Sequence, residues 1–127
     1  MIVADASVAV AAVLRDGAAR TALEQDWVHA PHLVDSEVAH VLRRQAAAGL
    51  VRPDRAWSAL DTWRRLGVIR HPGFPLFDRV WELRENLTAH DATYVALAEH
   101  LGCSPVTGDG RMSRAPGVRC PITVVPG

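Results

Sequence analysis

The sequence predicts an α/β domain in which helices cover a mainly parallel sheet. Short apolar segments with strand character alternate along the chain with longer segments of helical periodicity, and this alternation is typical of βαβ units. A length of 127 residues suits a single domain, residues 1–127, built around one hydrophobic core. Apolar residues make up 49% of the composition, which excludes an intrinsically disordered chain.

Five segments have the apolar character of short strands and are bounded by turn residues. MIVADA opens the chain as a buried strand, and WVHA is stopped by Pro31. The other three are GVIRH, PVTGD and ITVV. Because helical segments lie between them, the strands are expected to pair mainly in parallel.

Helical segments fill the intervals between these strands. Asp5 or Ser7 can cap the first helix, and Gly49 and Gly102 end two later ones. In chain order, the predicted helices are SVAVAAVLR, AARTALEQD, residues 32–48, RAWSALDTWRRL after Pro53 and Asp54, PLFDRVWELREN and HDATYVALAEHL, with GRMSR as a short turn or helix.

The charge and cysteine content exclude several classes of protein. The formal net charge is zero, so the chain has no overall basic character for nucleic-acid binding, and every cationic residue is Arg. Cys103 and Cys120 form no C-x-x-C pair and are expected to be buried free thiols. Asp5 interrupts the apolar start too early for a secretory signal, and no apolar run is long enough to span a membrane. We therefore expect a cytoplasmic protein.

Four carboxylates stand within or directly after apolar segments: Asp5, Glu37, Asp91 and Asp109. Burying a carboxylate raises the free energy of the folded state by roughly several kcal/mol unless a cation or hydrogen bonds compensate the charge. Asp5 closes the first strand and Asp109 closes a late one. In open parallel sheets ligands bind beyond the carboxyl ends of the strands, so these two acids are expected to face one crevice.

Helical periodicity separates Glu37 from its neighbour Asp35. Residues three and four apart share a helix face, and Glu37 falls on the apolar stripe of its helix, whereas a spacing of two residues turns Asp35 by roughly 200°. Asp35 is therefore expected to be solvated. The stripe consists of Leu33, Val34, Glu37, Val38, Val41 and Leu42.

Each acid also has an ordinary structural explanation when taken alone. Glu37 could lie at the edge of its stripe and extend into solvent, and Asp5 could be only a helix cap. Asp91 could be an acid of the first helical turn, where the helix dipole favours negative charge, and Asp109 could be a turn residue. Four acids at one end of one sheet instead favour a divalent metal site, because Mg²⁺ and Mn²⁺ prefer carboxylate oxygens.

The residues around the four acids supply further candidates. Ser7 and Thr107 flank the acids and are expected to orient them from outside the metal's own ligands. His40, one turn after Glu37, could reach the site, whereas His90 should point elsewhere. No zinc, phosphate-loop or covalent-nucleophile motif is present in the sequence. Candidate RNA-binding residues are Arg43, Arg44, Arg111 and Arg114, with solvated surface as the alternative.

The tryptophans are expected to pack rather than to bind bases. Trp57, Trp63 and Trp81 recur at helical spacing among apolar residues, so core or interface packing is the simpler interpretation than base stacking.

Four motifs follow one another along the chain: VADAS, SEVAHVLRR, LTAHDATYVALAEHLG and VTGDGRM. They resemble the motifs of PIN-domain ribonucleases, and more narrowly those of VapC-type toxins of bacterial toxin–antitoxin pairs. The resemblance covers nearly the whole chain. It implies a three-layer α/β/α domain with four to five short strands. The family's acids fall on Asp5, Glu37, Asp91 and Asp109. Where the family often has Asn and Tyr, this chain has His40 and His90.

The resemblance also implies an activity and partners. It implies an endoribonuclease that hydrolyses phosphodiester bonds with a metal-activated water, uses Mg²⁺ or, in its place, Mn²⁺, forms a homodimer and is inhibited by a cognate antitoxin. Two alternatives stay open: a housekeeping PIN ribonuclease without an antitoxin, and a catalytically silent PIN-fold binding module. A phosphoacceptor receiver domain is disfavoured because the chain has no Lys.

Overall fold

The computed structural model describes residues 1–126 and places five strands of this range in one sheet. All the pairings are parallel, and the strand order is β3-β2-β1-β4-β5. The predicted parallel α/β fold is thus confirmed. The strands are β1 (Ile2–Ala4), β2 (Val28–Pro31), β3 (Ile69–His71), β4 (Ser104–Thr107) and β5 (Thr123–Val124).

Helices cover both faces of this sheet and give the expected three layers. The first four helices pack against one another, while α6 crosses β1, β2 and β4 and carries α5 on its outer side. The helices are α1 (Ala6–Leu14), α2 (Ala18–Glu24), α3 (Leu33–Ala47), α4 (Pro53–Arg65), α5 (Phe77–Glu82), α6 (Ala89–Leu101) and α7 (Gly110–Ser113).

The helix ends follow from local chemistry that the sequence already displays. The Asp5 side chain caps α1 by accepting a hydrogen bond from the Val8 amide, and Thr88 caps α6 in the same way. Gly102 ends α6 with a left-handed backbone, φ 71°, which a residue without Cβ adopts at little cost. These caps fix where the neighbouring acids lie relative to the sheet.

One predicted helix is shorter than expected. The segment PLFDRVWELREN was expected to form a single helix, but residues Phe74–Leu76 form a 3₁₀ turn and α5 covers only Phe77–Glu82. Pro75 has no amide hydrogen and therefore suits a first turn rather than a helix interior. The chain after Glu82 continues in turns to Asn86.

The three tryptophans of the helical segments do not behave alike. Trp63 is a core residue, 1% exposed, so the packing expectation is confirmed for it. Trp57 and Trp81 are 58% and 68% exposed, so a core position is wrong for both. Each carries an arginine over its ring, Arg64 and Arg84 respectively, and packing at an interface stays a prediction.

Two other expectations from composition can be compared with the structure. No helix within residues 1–126 is long and apolar enough to cross a membrane. Cys103 and Cys120 are free thiols, as expected, but they are half-buried rather than fully buried. Burial raises the pKa of both thiols, which keeps them protonated and poorly nucleophilic at neutral pH.

A histidine pair joins two neighbouring strands at the β3 edge of the sheet. His29 Nδ1 lies 2.8 Å from His71 Nε2, and the two rings stack with centroids 5.1 Å apart. Burial lowers the pKa of His71, and nearby His29, His100 and His32 lower it further. The folded protein therefore favours the neutral imidazole, because the contact needs one ring nitrogen as an acceptor.

We expect this pair to weaken the fold in mild acid. As the pH falls below the ordinary histidine pKa of 6.5, the unfolded chain takes up a proton at residue 71 that the folded chain resists. Stability is therefore lost until the pH passes the lowered pKa of the folded state. Melting temperatures of His71→Gln between pH 7.5 and about 5 should fall less than those of the unmodified protein. His40→Gln, at an exposed helical position, is the control and should keep the full slope.

Candidate active site

A cleft of about 520 Å³ lies beyond the carboxyl ends of β1 and β4, and all four predicted acids line it. Asp5 directly follows β1, Glu37 lies in α3, Asp91 in the first turn of α6, and Asp109 caps α7. The structure thus brings together four carboxylates that are separated by up to 104 residues in sequence (109 − 5).

Asp5 is the most tightly held of the four. It is 7% exposed. Its Oδ1 accepts hydrogen bonds from Ser7 Oγ at 2.6 Å and from the Val8 amide at 3.1 Å, and its Oδ2 accepts one from Thr107 Oγ1 at 2.5 Å. Ser7 and Thr107 therefore hold one oxygen each of this carboxylate in place. Since a carboxylate has about four acceptor positions, lone pairs remain for a ligand on the cleft side.

Glu37 is oriented from the opposite side of the cleft. Tyr94 donates its hydroxyl hydrogen to Glu37 Oε1 at 2.6 Å, and His90 Nδ1 lies 3.9 Å from Oε2. The expectation that His90 points elsewhere is therefore wrong. His90 is in the first turn of α6, and the α6 N-terminus faces α3, so His90 reaches Glu37 even though its neighbour Asp91 faces the cleft.

Asp91 and Asp109 have opposite electrostatic environments. Burial raises the pKa of Asp91, and the charges of Asp5 and Asp109 raise it further. The Arg111 guanidinium lowers the pKa of Asp109 to about 2 through direct hydrogen bonds. Negative charge is therefore crowded at Asp91 and compensated at Asp109, which is the field expected of a site that attracts a cation.

Several predicted contributors lie outside this cleft. His40, Arg43 and Arg44 are exposed on α3 and do not line it. The expectation that His40 reaches the site is thus wrong, because the cleft is lined on α3 by residues four apart, Glu37, Val41 and Gln45, and His40 lies beside this row in solvent. Arg111 lines the cleft, whereas Arg114 lies beside it against Gly110.

Three cleft residues escaped the sequence analysis. Tyr94 lies three residues after Asp91 on α6, and the signal for it is that a buried tyrosine hydroxyl generally needs a hydrogen-bond partner. Gln45 extends the face of Glu37 by two turns, a spacing of eight residues that could have been noticed. Arg15 follows α1 directly, and nothing in its sequence context distinguishes it from other surface arginines.

Asp35 lies on another helix face, as expected, but it is not simply solvated. Its oxygens accept two hydrogen bonds from Arg70, at 2.7 and 2.9 Å, and one from Trp63 Nε1 at 2.9 Å. Arg70 and Trp63 together lower the pKa of Asp35, with Arg70 contributing most. This acid ties α3 to β3 and α4, so its role is structural.

The donor chemistry of the cleft fits a hard divalent cation. Its acidic groups are carboxylates, and no cysteine or histidine lines it, which suits Mg²⁺ or Mn²⁺ rather than zinc. Within residues 1–126, no three His, Cys, Asp or Glu side chains are already gathered around one point as a finished ligand set. Arg111 instead provides the positive charge beside Asp109.

Comparison with known proteins agrees with this geometry. The model of the PIN domain family matches residues 2–118. The chain belongs to the PIN-domain family. Ribonuclease VapC9 of Mycobacterium tuberculosis is 54% identical over 126 residues, which cover 99% of each chain. Ribonuclease VapC1 of the same organism is 41% identical over 128 residues, covering 97% of this chain and 96% of VapC1.

A solved crystal structure shares the fold. The crystal structure of Mycobacterium tuberculosis VapC20, described as a sarcin-ricin loop cleaving toxin, superimposes with a TM-score of 0.67. The match covers 90% of this chain and 94% of VapC20 at 20% identity. The resemblance to VapC-type PIN domains that the motifs indicated is thus confirmed by sequence and by fold.

The two neighbouring acids of α3 provide a direct test of the site. Glu37→Gln should lose most affinity for Mn²⁺ because it removes a charge from the cleft, whereas Asp35→Asn should bind Mn²⁺ nearly normally. Asp35→Asn should instead lower the free energy of unfolding by about 1 kcal/mol, the value of a partly exposed, charge-assisted pair.

Calorimetric titration with Mn²⁺ and urea unfolding of the two variants measure both effects. The result that contradicts the assignment is a loss of Mn²⁺ binding in Asp35→Asn with normal binding in Glu37→Gln. Arg70→Gln is a useful companion, since it should reproduce the stability loss of Asp35→Asn and leave Mn²⁺ binding unchanged.

Proposed function

We propose that this protein is a divalent-metal-dependent endoribonuclease and the toxin of a type II toxin–antitoxin pair. The observation that carries the proposal is the convergence of four carboxylates from four separate elements in one cleft. Membership of the PIN-domain family and the two ribonuclease relatives support RNA as the substrate and hydrolysis as the reaction.

The carboxylates of Asp5, Glu37, Asp91 and Asp109 would hold the ion. A bound Mg²⁺ or Mn²⁺ supplies positive charge for the scissile phosphate and lowers the pKa of water. Three of the acids are prepared for this role by their surroundings. Ser7 and Thr107 fix Asp5, and Tyr94 fixes Glu37. Burial and the neighbouring acids make Asp91 the one that gains most from a cation.

Phosphate recognition is assigned to the arginines nearest the acids. Arg15 and Arg111 line the cleft, and Arg114 lies at its border. A guanidinium binds phosphate oxygens in pairs and stays charged, so these side chains would position the RNA backbone beside the carboxylates. Arg43 and Arg44 are further along α3 and would contact more distant phosphates.

The proposed partners follow from the family. A VapC-type toxin implies a cognate antitoxin, and an acidic cleft is complementary to a basic segment in which arginine pairs with carboxylate. A homodimer, a location in the cytoplasm and a single-domain organisation belong to the same proposal. The housekeeping ribonuclease stays as the second candidate, because its active site would be identical and only the partner would differ.

A catalytically silent binding module is disfavoured by the energetics of the cleft. Burial raises the pKa of Asp91, and the charges of Asp5 and Asp109 raise it further, so ionised Asp91 lowers the stability of the metal-free fold. A module without metal chemistry gains nothing in return for that cost.

Neutralising either strand-end acid should abolish RNA cleavage. Asp5→Asn and Asp109→Asn each remove a charge from the proposed ion site and leave the side-chain volume unchanged. Asp5→Asn should also cost about 1–2 kcal/mol in stability, because its amide would face Ser7, Thr107 or Val8 as donor against donor. Asp16→Asn is the matched control, since Asp16 is exposed and pairs with Arg20 away from the cleft. Full cleavage by either Asp5→Asn or Asp109→Asn would overturn the site assignment.

Cleavage should require a divalent ion. Excess chelator should stop it, Mg²⁺ or Mn²⁺ should restore it, and Ca²⁺ should restore it poorly, because Ca²⁺ prefers longer bonds and higher coordination numbers. The measurement is the initial rate on a labelled RNA after chelation and re-addition of each ion. Undiminished cleavage in chelator would indicate a metal-independent nuclease.

Expression of the protein alone should slow bacterial growth, and co-expression of a small protein encoded beside it should restore growth. The Asp5→Asn variant should be harmless when expressed at the same level. If the unmodified protein cleaves RNA in vitro yet leaves growth unaffected, the housekeeping ribonuclease becomes the better assignment.

A further inference from the structure

Arg111 makes an unusually complete contact with one of the four acids. Its Nε lies 3.1 Å from Asp109 Oδ1 and 3.0 Å from Oδ2, and its terminal NH2 nitrogen lies 2.7 Å from Oδ2. The Arg111 backbone amide also donates to Oδ1, at 2.9 Å. Both oxygens of Asp109 are therefore engaged by a single residue two positions further along the chain.

The charge of Arg111 acts on a second acid as well. Arg111 and Asp91 line the same cleft as Asp109, so the positive charge of Arg111 also compensates part of the repulsion between these two acids.

The same side chain is free to leave. The side chain is 84% exposed, and within the described residues its guanidinium donates hydrogen bonds only to Asp109. Exposed pairs of this kind contribute little to stability. The contact is therefore strong enough to occupy Asp109 and weak enough to exchange.

We propose that Arg111 is a built-in counter-ion, which neutralises Asp109 in the metal-free protein and is displaced when a divalent ion binds. Ion binding is then an exchange of one cation for another at Asp109, and its affinity is reduced by the contact that must be broken. This inference rests on the proposed metal-dependent function. The RNA-binding role of Arg111 belongs to the ion-loaded state, in which the guanidinium has been released.

If Arg111 must be displaced before the ion binds, a variant without Arg111 should bind the divalent ion more tightly. Calorimetric titration of the metal-free protein with Mn²⁺ should show Arg111→Gln binding about two- to fivefold more tightly than the unmodified protein, the range that corresponds to an exposed ion pair. Arg114→Gln is the matched control. It removes a neighbouring positive charge that does not hydrogen-bond to Asp109 and should change the affinity less than about twofold.

Thermal melting gives a second reading that does not depend on catalysis. Arg111→Gln should lower the melting temperature of the metal-free protein and gain more from saturating Mn²⁺ than the unmodified protein does, because binding to the folded state alone stabilises it. Arg111→Lys keeps the charge but loses the bidentate contact. Its Mn²⁺ affinity should therefore lie between that of the unmodified protein and that of Arg111→Gln.

The outcomes separate this inference from the proposed function. If the unmodified protein binds Mn²⁺ and Arg111→Gln binds it equally or more weakly, the exchange is refuted and the metal-dependent function stands. If the unmodified protein binds neither Mn²⁺ nor Mg²⁺, the metal-dependent function fails and the exchange fails with it.

Discussion

The carboxylate of Asp5 connects the two halves of the sheet and, through Thr107, is linked to the backbone amide of Asp109. It accepts hydrogen bonds from α1 through Ser7 and Val8 and from the end of β4 through Thr107, 102 residues away. The Asp5 amide donates to the Val106 carbonyl at 3.2 Å. One charged side chain thus joins β1 and β4 at their carboxyl ends. These two strand ends form the bottom of the cleft, and the remaining acids lie around it.

The position of that floor follows from the order of the strands. From β1 the chain adds β2 and β3 on one side, and β4 and β5 lie on the other, so the order reverses between β1 and β4. In parallel sheets such a reversal opens a crevice beyond the carboxyl ends, because the following helices depart to opposite faces. Asp5 and Asp109 border this crevice, while α3 and α6 carry Glu37 and Asp91 to its rim.

Much of this arrangement could be predicted because it depends on local rules. Strand–helix alternation, the Asp5 cap and the glycine at the end of α6 each act over a few residues, and the phase of Glu37 needs only the helical repeat. Tertiary packing instead decides three features: the side of α6 on which His90 lies, the exposure of Trp57 and the early end of α5 at Glu82. A single sequence does not contain that information, so those expectations were wrong.

Asp35 and Glu37 show the same contrast between local rules and tertiary packing within one helix. Both phases were predicted, yet the partners of Asp35 come from β3 and α4, and only the folded chain shows that Arg70 and Trp63 reach it. Helical periodicity tells which way a carboxylate points, whereas its function depends on what stands opposite. Asp35 faces a guanidinium, which compensates its charge, and an indole N–H, which donates a hydrogen bond to it. Glu37 faces a tyrosine hydroxyl and other acids, which leaves its charge available to a cation.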